Sequence, residues 1–175
     1  VGSEMCIRDR GKRLADELGI PCYDQEVIEK VAQESGFAKE YIKERGEYTP
    51  YGGWFAQALT GPSARGTSPQ DDLWVIQRKV ILELAQKPCV IVGRCADYIL
   101  RDEADLLKAF IYADMEKRAD RIVRLYGETE EAPVKRLKDK DKRRAAYHRF
   151  YTDMKWGHAQ NYDLTLNSGT LGIDN

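Results

Sequence analysis

Apolar residues recur every three or four positions in several stretches of the chain, the spacing that buries one face of an α-helix. This pattern predicts helices over residues 11–18, 24–35, 68–87 and 114–126. Gly19 and Pro88 follow the first and third of these, where a left-handed cap and a missing N–H donor end a helix. Ser68 and Pro69 begin the third helix with a capping-box pattern.

The third and fourth predicted helices each carry an apolar face. In the third helix this face consists of Leu73, Ile76, Val80 and Leu84. In the fourth, which Asp114 caps, it consists of Ala119, Ile122, Val123 and Tyr126. We expect both sets of side chains to lie in the core.

Short apolar runs between the helices predict strands at residues 20–23, 89–93, 108–113 and 162–167. The second and third runs are continuous, as in strands covered on both faces, and no helical pattern follows the last one. Alternating strands and helices predict an α/β fold with a doubly wound parallel sheet. Ligands bind such sheets beyond the carboxyl ends of the strands, where Asp24, Arg94 and Asp114 stand.

Composition narrows the class of protein. The 175 residues fit one domain, and 42% hydrophobic with 33% charged residues is typical of a soluble globular protein. A net charge of -1 gives no reason to expect nucleic acid or a membrane as the main partner. No apolar stretch approaches the roughly 20 residues of a membrane span. The four cysteines form no C-x-x-C pair, which favours free thiols in a reducing cytoplasm.

Four segments in order along the chain carry a resemblance to a known family. They are Gly11 to Asp24, Val90 to Leu100, Asp141 to Tyr147 and Tyr162 to Ser168. Together they resemble the cytidylate-kinase-like family of P-loop kinases, over residues 11–175. The resemblance implies ATP-dependent phosphoryl transfer, with Mg²⁺, to a nucleoside monophosphate. It also implies a P-loop kinase sheet with a basic helical lid, here at residues 128–157, and an acceptor-side insertion at residues 37–67.

The beginning of the chain departs from that family. In the family a strand and a glycine-rich loop, similar to G-S-G-G-R-E-I, precede the Gly-Lys-Arg-Leu-Ala segment. Here the residues from Glu4 to Arg10 read E-M-C-I-R-D-R, with no glycine between Gly2 and Gly11. We therefore expect residues 1–10 to be a non-native leader, with the first strand and the phosphate loop missing. The C-terminus looks truncated, and we expect this chain to be inactive.

The resemblance implies a set of acceptor-binding residues. Arg94 follows Gly93 at a strand end, where a guanidinium binds a phosphate through two N–H groups. Asp24 would hold the acceptor sugar or a phosphate-linked group, although aspartate is also a common helix cap. Asp97 stands two positions beyond the aspartate of the family's Gly-Arg-Asp. On the ATP side, the resemblance points to Gly11 and Lys12, while metal ligands are unidentified.

A basic run marks the predicted lid. Eight lysines and arginines lie between Lys135 and Arg149. Arg136, Lys140 and Arg144 are spaced at i, i+4 and i+8, which repels unless an anion faces them. Asp141 and Arg144 match the family's Asp-x-x-Arg lid spacing. Arg143 and Arg144 would neutralise the transferring charge, with Asp141 beside them and Arg136 on the substrate.

Two other interpretations of these charged residues stay open. The basic run is also consistent with a solvated helix face. Arg118 and Arg121 either reach the lid side of the site or solvate their own helix. His148 and His158 lack metal-ligand spacing, and we interpret both as incidental.

Two functions follow from the sequence. The first is a nucleoside monophosphate kinase that uses ATP, with catalysis by positioning and electrostatics. The second is a nucleotide-sensing module that keeps the fold without turnover. A glycine-rich loop before Gly11 in the complete protein favours the first. The acceptor base and the oligomeric state are not predicted.

Overall fold

A computed structural model describes residues 2–24, 69–127 and 129–172. The predicted helix at 24–35, apart from Asp24, and the predicted insertion at 37–67 lie outside the described residues. The helices are α1 Gly2–Leu18, α2 Pro69–Leu84, α3 Ala96–Ile99, α4 Met115–Tyr126, α5 Pro133–Thr152 and α6 Ser168–Leu171. The strands are β1 Cys22–Tyr23, β2 Val90–Ile91, β3 Ala109–Tyr112 and β4 Leu164–Asn167, with a 3₁₀ turn at Ala159–Asn161.

The strands pair in parallel, as the alternating pattern predicts. In one sheet, Cys22 of β1 lies beside Val90 of β2. In the other, β3 pairs with β4 from Ala109 beside Leu164 to Tyr112 beside Asn167. The described residues thus form a mixed α/β fold with two two-stranded parallel sheets. One doubly wound P-loop sheet stays a prediction.

Helix α1 begins earlier than the sequence pattern predicts. It runs from Gly2 to Leu18 rather than from residue 11, and it ends at Gly19, whose φ of 66° confirms the predicted left-handed stop. Ion pairs attach its first half to the rest of the chain: Arg8 pairs with Asp24, and Asp9 with Arg121 at 2.6 Å. Residues 8 and 9 therefore pack on the domain.

The main core lies between α2 and α3. Val80 and Ile81 of α2 have 0% exposure and pack with Ala96, Ile99 and Leu100. Val80 confirms the predicted face, whereas Ile81 extends it by one position. A smaller core joins Ala119 and Ile122 of α4 to Leu137 of α5.

Two burial predictions were wrong. Strand β3 is not covered on both faces, since Tyr112 is 44% exposed and Ile111 is its one fully buried side chain. Tyr126 is 51% exposed because the α4–α5 core is centred one turn earlier, at Ile122.

The last strand is followed by the short helix α6, which contacts β3 and β4. Among the described helices, none combines the length and the apolar character needed to cross a membrane.

Candidate functional site

The turn after β2 carries Arg94 in an unusual backbone conformation. Gly93, Arg94 and Cys95 have φ values of 75°, 58° and 54°. The left-handed region is costly for non-glycine residues and concentrates at functional sites. The N–H of Ala96 closes the turn on the carbonyl of Gly93 at 3.1 Å, and α3 begins there. Arg94 therefore lies at the carboxyl end of β2 with a strained backbone conformation.

The guanidinium of Arg94 is half-buried. Its Nη1 atom is shielded from solvent and has no hydrogen-bond partner in the described part of the chain. Burial raises the pKa of the Tyr147 hydroxyl well above its ordinary value, while the charge of Arg94 opposes that shift. The guanidinium therefore lies close to Tyr147 of α5. A buried N–H donor without an acceptor is costly unless a ligand satisfies it.

Aromatic side chains form one wall beside Arg94. Trp74 of α2 stacks on Tyr151 of α5, with ring centroids 4.2 Å apart and planes 8° from parallel. Tyr147 meets the edge of Trp74 at 6.2 Å. These contacts hold α5 against α2.

A second link joins α5 to the segment after β2. The Nε2 atom of His148, a buried residue, lies 3.5 Å from Oδ2 of Asp97. The other ring nitrogen lies 3.1 Å from Oγ1 of Thr152. Burial is the main cause that raises the pKa of Tyr162 to about 12, and the nearby charge of Asp97 contributes. His148 is therefore packed in this region through a contact with Asp97 that the sequence pattern does not reveal.

Asp141 is the centre of an ion-pair cluster in α5, within the segment predicted to be a lid. Its two carboxylate oxygens accept hydrogen bonds from Arg118 of α4 at 2.7 and 2.9 Å. The same carboxylate accepts a bond from Arg144 at 3.1 Å, one helical turn away. Asp141 and Arg144, which are spaced at i and i+3, thus form an ion pair. Arg118 thus bonds to α5, and its interpretation as a residue on the lid side of the site stays a prediction.

The three stacked cations of the sequence pattern do not share one environment. Arg144 turns towards Asp141, so the anion that faces it is a residue of the same helix. Arg136 and Lys140 instead line a cleft between α4 and α5, together with Arg143, Glu131 and Asp139. Arg136 also donates to the hydroxyl of Thr129 at 3.1 Å. The cleft keeps a basic character that suits an anionic ligand.

Comparisons with known proteins identify the family of the chain. The sequence profile of the cytidylate kinase-like family matches residues 8–170. The chain belongs to this family. Membership of this family indicates a nucleotide kinase-like enzyme.

One solved structure is similar over most of its length. It is the crystal structure of an uncharacterized protein from Eubacterium ventriosum ATCC 27560, with 30% identity and a TM-score of 0.68. The similarity covers 94% of this chain and 83% of that one. A search of curated proteins finds no match.

The family's ATP-side positions have a different local structure here. Gly11 lies within α1, where its backbone N–H belongs to the helical hydrogen-bond pattern. A side chain on Gly11 would meet Cγ2 of Val92 at 3.1 Å, so this glycine lets α1 approach β2. Lys12 is exposed on the same helix. The described residues around Gly11 and Lys12 therefore do not form a phosphate cradle.

The remaining predicted residues fall into two groups. Asp24 follows β1 and pairs with Arg8. Asp97 lies in the first turn of α3, three residues after Arg94. In the described parts of the chain, no three His, Cys, Asp or Glu side chains cluster as metal ligands.

Sequence reasoning missed Gln77 and His148. Gln77 occupies a core-face position of α2, and a polar residue at that helical spacing was a detectable signal. His148 follows Asp141 and Arg144 at i+7 and i+4, which places all three on one side of α5. The side of α5 that holds Asp141 thus also meets the segment that carries Arg94.

Proposed function

We propose that the protein transfers a phosphoryl group from ATP to a nucleoside monophosphate, as a cytidylate kinase does. The observation that supports this most strongly is the buried Nη1 of Arg94, which lacks a hydrogen-bond partner among the described residues. An acceptor phosphate supplies the oxygen atoms that this donor lacks. Family membership supports the same class of reaction.

On this proposal, Arg94 binds the phosphate of the acceptor. Asp24 and Asp97 also contact the acceptor. Arg94 stands at the carboxyl end of β2, where ligands of parallel α/β sheets bind. Its left-handed backbone conformation sets the direction in which the side chain leaves the turn. A preorganised guanidinium loses less entropy on binding than a mobile one.

The lid arginines act on the transferring group. Arg143 and Arg144 carry positive charge that stabilises the phosphoryl oxygens, and Arg136 adds to the substrate contact. Asp141 orients Arg144 through the 3.1 Å ion pair. The reaction needs no side-chain nucleophile, because the acceptor phosphate itself attacks.

We include ATP and Mg²⁺ in the proposal because the family resemblance implies both. Gly11 and Lys12 are its ATP-side positions, although the described residues form no phosphate cradle there. In such reactions the metal ion neutralises charge on the phosphates. The residues of this chain contribute acceptor binding and lid charge.

Isothermal titration with CMP, UMP, AMP and GMP tests the acceptor site. We expect one of them to bind, and Arg94→Met to weaken that binding about a hundredfold, the cost of losing a charge-assisted contact. The matched control is Arg101→Met, because Arg101 is exposed and pairs with Asp102. Equal affinity in Arg94→Met and the unaltered chain would remove Arg94 from the site, and no binding by any monophosphate would overturn the proposal.

A second candidate function is a nucleotide-binding module without turnover. The observation that favours it is the continuous helix α1 from Gly2 to Leu18, at positions where the family has its phosphate loop. Binding of a monophosphate without measurable transfer from ATP, in the complete protein, would select this function over the kinase.

A further inference from the structure

Gln77 is a polar residue buried in the apolar face of α2. Its side chain is 4% exposed, and its neighbours Val80 and Ile81 are fully buried. A buried amide is costly unless its hydrogen bonds are made. The position therefore requires specific partners.

Those partners belong to two other elements. The Nε2 atom of Gln77 donates to the backbone carbonyl of Arg94 at 3.1 Å and to the hydroxyl of Tyr147 at 3.3 Å. A carbonyl oxygen can only accept, so the atom facing it is the amide nitrogen rather than the amide oxygen. One side chain of α2 thus joins the turn after β2 to α5.

The hydrogen bond from Gln77 is made to a strained part of the backbone. Arg94 and Cys95 have φ values of 58° and 54°, which side-chain-bearing residues rarely adopt. Such conformations persist when surrounding contacts determine them. The bond from Gln77 is the side-chain hydrogen bond that the described residues make to the carbonyl of Arg94.

We propose that Gln77 is a positioning residue that holds the turn from Gly93 to Cys95 in its left-handed conformation and so directs the guanidinium of Arg94 at the acceptor phosphate. The positioning of the turn stands on the geometry alone. Its consequence for the acceptor rests on the proposed function. Gln77 itself does not touch the acceptor.

The test uses Gln77→Met, which keeps the length of the side chain and removes the donor. The matched control is Gln86→Met, because the side chain of the exposed Gln86 donates to the carbonyl of Leu82, at 3.2 Å, within its own segment. Amide hydrogen exchange is measured at Ala96, Tyr98 and Ile99, whose N–H groups bond to carbonyls of Gly93 and Cys95. CMP affinity is measured on the same proteins.

We expect faster exchange at these three amides in Gln77→Met, with Ala119 and Ile122 of α4 unchanged, and CMP binding weakened about tenfold. Gln86→Met keeps the exchange rates and the affinity of the unaltered chain. Faster exchange throughout the protein would mean a general loss of stability and would overturn the positioning role. So would unchanged exchange at the turn.

The two proposals fail separately. If neither the unaltered chain nor Gln77→Met binds CMP or another monophosphate, the acceptor site at Arg94 is contradicted. Selective exchange at the turn still supports the positioning role of Gln77 in that case. If the unaltered chain binds CMP and Gln77→Met binds it equally well, Gln77 does not direct Arg94.

Discussion

Asp141 and Arg118 form a two-bond ion pair that joins α5 to α4. The carboxylate oxygens lie 2.7 and 2.9 Å from the two terminal nitrogens of the guanidinium. The Arg118 side chain is 9% exposed and that of Asp141 is 20% exposed. This geometry is the strongest form of a protein ion pair. Helix α5 is therefore anchored to α4 through the same aspartate that pairs with Arg144.

Arg118→Met should lower the free energy of unfolding by about 2 kcal/mol, since the remaining carboxylate loses its best partner in a half-buried place. Urea denaturation measures the change. The matched control is Arg78→Met, whose ion pair with Glu103 is 49% exposed on both sides. That variant should change stability by no more than about 0.5 kcal/mol. Equal losses in the two variants would show that the pair does not anchor α5.

Local signals in the sequence predicted most of the elements. Gly19 ends α1, Pro69 begins α2, and a β-branched run gives β2, because these residues act through their own backbone. The Asp141–Arg144 pair was also predictable, since its spacing lies within one helical turn.

Contacts between distant residues were not predictable in this way. Arg118 and Asp141 are 23 residues apart, and Gln77 and Tyr147 are 70 apart. A periodic pattern shows that a position is buried without showing what it meets. The start of α1 was missed for another reason: residues 1–10 were interpreted as a non-native leader and were not searched for a helical pattern, whereas Arg8 and Asp9 pair with Asp24 and Arg121.

Cys95 should resist alkylation in the folded protein. It is 6% exposed, and burial raises the pKa of its thiol well above the usual range. The reactive thiolate is therefore absent at pH 8, and the reagent has no access. Cys89 is only half-buried, so it should react first although burial also raises its pKa. Timed iodoacetamide labelling with peptide mass spectrometry compares them, and equal rates would contradict the burial of the turn at Arg94.

Arg143→Ala and Arg144→Ala should separate lid chemistry from lid structure. Both variants should lower turnover by about a hundredfold while changing acceptor affinity less, because their charge matters most in the transition state. Arg144→Ala should also destabilise the fold, since its side chain is 11% exposed and pairs with Asp141. Arg144→Lys keeps the charge and controls for that effect. Equal losses in affinity and turnover would indicate simple docking of the acceptor. Turnover is measured in a variant in which a strand and a glycine-rich loop replace residues 1–10.

Helix α1 occupies the positions at which the family has its glycine-rich loop. The positions from Glu4 to Arg10 lie in α1, where backbone N–H groups bond along the helix instead of converging on phosphates. We therefore expect ATP to bind this chain weakly and transfer to CMP to be near background. Replacing residues 1–10 with a strand and a glycine-rich loop should restore ATP binding and transfer, measured by titration and by a coupled ADP assay. The matched control is a replacement of equal length without glycines. Enzyme-like transfer by the unaltered chain would show that α1 does not exclude ATP, and a repaired chain that binds CMP and ATP without transfer would support the nucleotide-binding module over the kinase.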